Sequence, residues 1–264
     1  MLNRLLVVSI AMLLSGPLHA FDLADYRMVD LSHAYGEHTL YWPTSPTAFQ
    51  KKTLAYGMTG DTADSYFYSA YTVSTPEHGG THIDAPVHFA EGGLSTEQIA
   101  LDKLIAPAVV IDISAKAAED RNYRLSAKDV LDFEENYELI AAGSIVLVRT
   151  DWSRHWPDAM AYLGDDTPGD ASNLQFPGIG EDATRLLTED RKVAMIGIDT
   201  ASIDYGKSQD FMAHRIGAAQ GVANLENLTK LAELPPVGSV VMALPMKVEG
   251  GSGGPVRVVA LVPR

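Results

Sequence analysis

The stretch "EHGGTHIDAPVHF", residues 77–89, gathers His78, His82, Asp84 and His88 into eleven positions of a chain that has only eight histidines. Gly79, Gly80 and Pro86 are poor helix residues, so this is not a pair of ligands one helical turn apart. All four side chains are even-numbered, and alternate residues of an extended chain face the same side. His82 and Asp84 can therefore point at one metal from a strand, with Cα atoms roughly 6–7 Å apart. His78 would lie about 13 Å from His82 in a fully extended chain, too far to share an ion, so the backbone must bend between them. Gly79-Gly80 permits that bend, and Pro86 redirects the chain before His88. Two imidazoles and a carboxylate make a donor set suited to zinc or manganese. The competing reading is a turn of hydrogen-bonded histidines with no metal.

The elements that must position these groups are legible as hydrophobic runs. Five apolar, β-branched segments read as strands: 106–114, 144–150, 193–199, 239–248 and 255–262. Several are apolar almost throughout, as in strands covered on both faces. Helices are expected between them. "LSAKDVLDFEENY" has Ser126 as its N-cap and Asp129 in the first turn. "GEDATRLLTED" puts Ala183, Leu186 and Leu187 on one face. "ANLENLTKLAEL" repeats Leu225, Leu228 and Leu231 at helical spacing before Pro235-Pro236. Alternation of strands and helices means an α/β fold. Residues 151–178, rich in Gly, Pro and Asp, are too long for an ordinary connection and read as a lid, a pocket wall or a plain surface excursion.

Composition bounds the rest. With 46% hydrophobic and 20% charged residues, the chain is an ordinary globular one. Residues 1–20 carry Arg4, an apolar run from Leu5 to Leu14, and small Ala20, the pattern of a secretory signal peptide. The expected mature protein is a single domain over 21–264, periplasmic or secreted. Loss of Arg4 moves the net charge from -14 to -15, which argues against nucleic acid and anionic membranes as partners. There is no cysteine, so any metal must be held by His, Asp, Glu or water, away from thiolate-type structural zinc. His214 and Glu226 lie far downstream, and each alone reads as structural, Glu226 as a first-turn helix carboxylate. His33, His38 and His155 have no partner pattern.

"HGGTHIDAPVHF" resembles the His-x-Gly-Thr-His-x-Asp-x-Pro-x-His-Phe signature of the cyclase family, which includes bacterial kynurenine formamidases and isatin hydrolases. The resemblance continues through "VDLSHAY" (29–35), "YWPTSP" (41–46), "FPGIGEDA" (176–183), "IGIDTASID" (196–204), His214 with Glu226 twelve residues on, and "EGGSGGPVRVVAL" (249–261). It implies an α/β fold of the swivelling β/β/α type, with a mixed sheet or barrel-like core, and one or two divalent ions, Zn or Mn. His78, His82 and Asp84 would hold the first ion, and Asp84, His214 and Glu226 a second, with Asp84 bridging. His88 matches the general acid/base, and Trp42 an aromatic that packs on the substrate ring. A homodimer or higher assembly is also implied. The formamidases it resembles are generally shorter cytosolic enzymes of tryptophan breakdown, whereas this chain carries an export pattern and the long 151–178 segment.

The combined expectation is an exported metal-dependent hydrolase that cleaves a C–N amide bond of a small aromatic or cyclic substrate. Thr81 and Asp199 are candidates to orient the imidazoles. Two other classes stay open: a cyclase of a polyketide-type pathway, and a non-enzymatic exported metal- or solute-binding protein.

Overall fold

The computed structural model describes residues 22–264, so the expected signal peptide over 1–20 lies outside the described residues. Twelve strands are formed: β1 (Tyr26–Asp30), β2 (Gln50–Met58), β3 (Phe67–Ser74), β4 (His82–Asp84), β5 (Ile105–Asp112), β6 (Arg124–Leu125), β7 (Ile145–Arg149), β8 (Gly178–Ile179), β9 (Met195–Ile198), β10 (Ala223–Glu226), β11 (Ser239–Pro245) and β12 (Gly253–Pro263). The helices are α1 (Leu101–Leu104), α2 (Ser114–Glu119), α3 (Ala127–Asn136), α4 (Ala159–Leu163), α5 (Glu181–Arg185) and α6 (Met212–Ala219).

The main sheet runs β1-β12-β11-β5-β7-β9-β10-β4, and β4 also pairs with β12. That second pairing closes β12 through β4 into a barrel with β1 added outside, which leaves few free edges. β5, β7, β9 and β10 are mutually parallel, whereas β4, β11 and β12 pair antiparallel with their neighbours. This is the α/β, barrel-like cyclase architecture expected.

Period-two alternation sends each strand into two cores. On β5, Ala108 and Val110 face the barrel interior with Ile83, Leu147, Leu225, Val241 and Val258. Val109 and Ile111 face a second core with Val148, Ile198, Phe133 and Leu187, under the helices. Burial on both faces explains why these strands read as unbroken apolar runs. α3 begins where expected: Ser126 caps it and Asp129 returns the bond to the Ser126 backbone. Residues 186–190 continue α5 as a π-helical turn.

One element is corrected. Residues 223–234 are not a helix: Ala223–Glu226 form β10, and a single 3-10 turn follows at Leu231–Glu233. Leu225, Leu228 and Leu231 are all buried in the barrel core. Their spacing suits a helix, but the same three side chains reach that core from a strand, the loop after it and the turn. Asn227 takes a left-handed backbone (φ +54°) just after β10, and β10 is held between β9 and β4. Tertiary pairing overrides the local period.

The 151–178 segment is a packed wall. Trp152, Tyr162, Leu163, Leu174 and Phe176 form a third buried cluster, against which Leu40 and Trp42 pack. β2 and β3 pair only with each other and make a separate two-stranded ribbon. Among the described residues no helix is long and apolar enough to cross a membrane.

Candidate metal centre and pocket

The bend before β4 is built as the glycines predict. Gly79 (φ +143°) and Gly80 (φ +58°) both take backbone angles that disfavour side chains. A Cβ on Gly79 would fall 2.1 Å from the Tyr41 ring, and one on Gly80 2.7 Å from the Tyr35 ring. The turn brings the His78 ring to 5.5 Å from that of His82. On β4, Ile83 points into the barrel core, so His82 and Asp84 share the opposite face. β10 places Glu226 directly across from His82. α6 covers this face and contributes His214.

Two donor groups result: His78, His82 and Asp84, and then Asp84, His214 and Glu226, with the potential ligand atoms of each group within 4.8 Å of one another. The two oxygens of Asp84 are divided between them. Oδ1 lies 2.6 Å from His78 Nδ1 and 3.3 Å from His82 Nε2, while Oδ2 lies 3.1 Å from His214 Nε2. Glu226 Oε1 is 3.1 Å from His214 Nε2 and Oε2 is 3.5 Å from His82 Nε2. All five residues singled out in the sequence meet at one point.

Each imidazole is oriented from behind. His82 Nδ1 donates to the Gly80 carbonyl (2.9 Å). His214 Nδ1 meets Asp204 (2.7 Å), which also accepts from the backbone N–H groups of Ala213 and His214. His78 Nε2 meets Ser252 Oγ (2.9 Å), which donates to Glu77 (2.6 Å). Thr81 and Asp199 do not play the expected part. Thr81 Oγ1 donates to the Asn227 carbonyl (2.6 Å), and Asp199 accepts from Thr150 N–H and O–H. Burial pushes Asp199 up to about 6, although the Thr150 bonds oppose this. Asp204, the partner of His214, closes the "IGIDTASID" motif, and Glu77 opens the histidine stretch; neither has a spacing that marks its role in the sequence.

The electrostatics fit a cation. Burial works against charge on His82, yet the carboxylates of Asp84 and Glu226 raise it to about 9. His214 is likewise raised well above its ordinary value, by Asp204, Asp84 and Glu226 against the cost of burial. Asp84 is held well below the usual carboxylate range, because the imidazoles around it outweigh burial. Buried carboxylates that hold protons this strongly on neighbouring imidazoles are a site short of positive charge. The donors are nitrogen and oxygen only, as zinc and manganese accept.

The cluster floors a pocket walled by Leu40, Trp42, Phe89, Leu163 and Phe211, with no lysine or arginine in its lining. Trp42 packs edge-on against Phe176 (6.3 Å) and tilted on Phe211 (6.2 Å). Pro86–His88 form one 3-10 turn that delivers His88 to the rim. The His88 ring stacks on His78 at 3.8 Å and 16° and forms no hydrogen bond among the described residues. His88 is an exposed residue, yet the desolvation its surroundings impose lowers its pKa to about 4, against the pull of the Asp84 carboxylate. His33 stacks on Trp156 (4.3 Å) outside the cluster.

The Cyclase family matches residues 29–205, and an isatin hydrolase from Roseibium aggregatum is 32% identical over 91% of this chain and 93% of its own. The chain belongs to the Cyclase family. A kynurenine formamidase from Salinibacter ruber is 29% identical over 88% of this chain and 96% of its own. Among solved structures, isatin hydrolase A from Labrenzia aggregata, bound to benzyl benzoate, superposes with a TM-score of 0.81 at 29% identity, covering 91% of this chain and 95% of that one. The family match spans the positions of Trp42, His78, His82, Asp84 and His88 and ends before those of His214 and Glu226.

Proposed function

We propose that the chain is an exported metal-dependent hydrolase that opens the C–N bond of a small, neutral, aromatic cyclic amide of the isatin type. The carrying observation is two donor groups sharing Asp84 beneath an aromatic pocket whose lining has no lysine or arginine. An N-formylkynurenine-type arylformamide carries an amino-acid tail, and the lining has no lysine or arginine to pair with its carboxylate. Names of the relatives, isatin hydrolase and kynurenine formamidase, support the amide chemistry.

His78, His82, Asp84, His214 and Glu226 would hold one or two ions, Zn or Mn. A divalent ion there supplies Lewis acidity for the amide carbonyl and lowers the pKa of a water toward about 7. Trp42, Phe89 and Phe211 orient an aromatic ring and exclude bulk water. His88, kept neutral at pH 7 by its lowered pKa, accepts the proton of the attacking water and returns it to the departing nitrogen. The binding-only alternative gives no role to an imidazole with free ring nitrogens at the rim. Turnover of isatin, N-formylkynurenine and simple cyclic imides in oxygen-labelled water tests the reading. Label in the carboxylate released from the cyclic amide is expected; unlabelled product or none would favour the polyketide-type cyclase or the binding protein. Export rests on residues 1–20, and terminal sequencing of the periplasmic or secreted protein should begin near Phe21.

We also propose a homodimer formed through the ribbon. Tyr56, Met58, Phe67, Tyr71 and Val73 share one of its faces, judged by the pairs Tyr56–Ser69, Met58–Phe67, Thr53–Tyr71 and Lys51–Val73, and all five are exposed. Five such side chains offer on the order of 500 Å² per copy, over half of an ordinary interface. Lys51, on the same face and over the Tyr71 ring, suits a partner as acidic as this chain, at net charge -14. A second copy is the partner present whenever the protein is made. Sedimentation of a monomer at micromolar concentration would sink this.

A further inference from the structure

We infer that Tyr162 and Asn227 are positioning residues for His82, and that the 151–178 segment thereby helps set the metal-binding geometry it does not touch. The argument rests on the proposed metal reading and follows a chain of hydrogen bonds. His82 can offer an Nε2 lone pair to an ion shared with Asp84 and Glu226 only while its proton sits on Nδ1, where a fixed acceptor holds it. That acceptor is the Gly80 carbonyl at 2.9 Å. The second donor to the same carbonyl is Asn227 Nδ2 at 2.8 Å. A carboxamide can face either way, and only one way puts a donor on Gly80. The Gly80 carbonyl can only accept, so the amide nitrogen faces it, and Asn227 Oδ1 is held by the Tyr162 hydroxyl at 3.0 Å, whose single proton is shared with the Asp199 carbonyl at 3.2 Å.

Every member of the chain is fixed. Asn227 sits in the left-handed region (φ +54°), with its N–H on the Thr200 carbonyl and its own carbonyl accepting from Thr81. Tyr162 is fully buried in the 151–178 cluster, and burial raises its pKa so far that the hydroxyl stays a donor. Trp152 Nε1 donates to the Tyr162 carbonyl at 2.7 Å, tying α4 back to the start of the segment. The segment therefore ends, through one hydroxyl and one amide, on the bond that selects the His82 tautomer.

The test measures metal binding rather than turnover. Tyr162→Phe keeps the ring in its cluster and removes only the donor; Asn227→Asp keeps the shape and puts an oxygen against the Gly80 carbonyl. Both should weaken retention of zinc or manganese, measured by competition with a chromogenic chelator, by roughly 10- to 100-fold. The melting temperature of the metal-free Tyr162→Phe variant should stay near that of the parent. Unchanged metal retention in either folded variant, or a loss of melting temperature alone, overturns the inference and leaves Tyr162 as packing. A parent chain that binds no divalent ion would instead sink the metal reading. Nitrogen-15 shifts of His82 in the metal-loaded parent give a check that needs no variant to fold: a protonated Nδ1 is expected, and an unprotonated one overturns the relay.

Discussion

At the β4–β10 end of the barrel, His82, Asp84, His214 and Glu226 are 3%, 2%, 4% and 4% exposed, whereas on the β2–β3 ribbon Tyr56, Met58 and Phe67 are 72%, 61% and 57% exposed. Ionisable groups are inside and aromatics outside, the reverse of ordinary burial in both places. Each reversal is costly when left unpartnered: buried charges need compensation, and a lone two-stranded ribbon is marginal in water. The protein meets part of the first cost itself, through Asp204, Ser252 and the Gly80 carbonyl behind the imidazoles. Among the described residues the ribbon's aromatic face stays exposed, with only the Lys51 ammonium over the Tyr71 ring. An inverted surface reports a missing partner, and its chemistry names the class: a cation for convergent N and O donors, an apolar surface for a row of aromatics.

Asp129 offers a control, because it is a buried carboxylate that the protein satisfies completely. Lys116, Tyr123 (2.8 Å), and the N–H (2.8 Å) and hydroxyl (2.7 Å) of Ser126 all donate to it. No ligand is left to expect there, and no donor cluster includes it among the described residues.

The largest effect should come from the one histidine at the site with no hydrogen-bond partner. His88→Ala is expected to keep metal and melting temperature while kcat and kcat/KM both fall roughly 100- to 10,000-fold. A substrate with a better leaving group should recover part of the rate. Metal loss would make His88 a ligand, and unchanged kcat would remove it from the chemistry. Next in size is Asp204→Asn, which leaves α6 in place but weakens the hold on His214. Metal affinity should drop roughly 10- to 100-fold, as read by chelator competition; an unchanged affinity would break the claim that the charged site is oriented from behind.

Asp129→Asn should cost about 1–2 kcal/mol of unfolding free energy at pH 7, at the lower end because Lys116 is half exposed and screened. Burial tends to raise this carboxyl, but its hydrogen bonds from Lys116 and Ser126 hold the folded-state pKa below the ordinary value. Its stabilisation is therefore present above the unfolded-state pKa and is lost as pH falls through the lowered folded-state one. Denaturation of parent and variant should converge in that acid range; a constant gap down to strong acid would deny the assignment. The smallest effect on the barrel is expected from Tyr56→Lys with Phe67→Lys, within about 0.5 kcal/mol per monomer. The same change should halve the sedimenting mass. A dimer that survives it would show that the ribbon's exposed aromatics serve something other than self-association.

How much of this was legible varies by element. β5, β7, β9, β11 and β12 announced themselves because burial on both faces writes a continuous apolar run. α3 did so through the reciprocal Ser126–Asp129 cap. The bend at Gly79-Gly80 followed from a distance: an extended chain cannot bring His78 to His82. β10 was hidden, because three leucines at helical spacing also suit a buried strand and the turns after it. Glu226 was hidden with it, and only its resemblance to a family pattern singled it out.

Residue types fixed the kind of chemistry available here: with no cysteine and a histidine-aspartate cluster, any metal site had to be built from nitrogen and oxygen. Local spacing fixed that His82 and Asp84 would share one side of their strand. Closure of the barrel decided the rest. It laid β10 beside β4 so that Glu226 opposes His82, set α6 over both with His214 inward, and turned an unstructured-looking segment into a wall whose Tyr162 reaches Asn227. Those contacts join residues 65 to 144 positions apart, and pairing between distant segments leaves no periodic trace in either one alone.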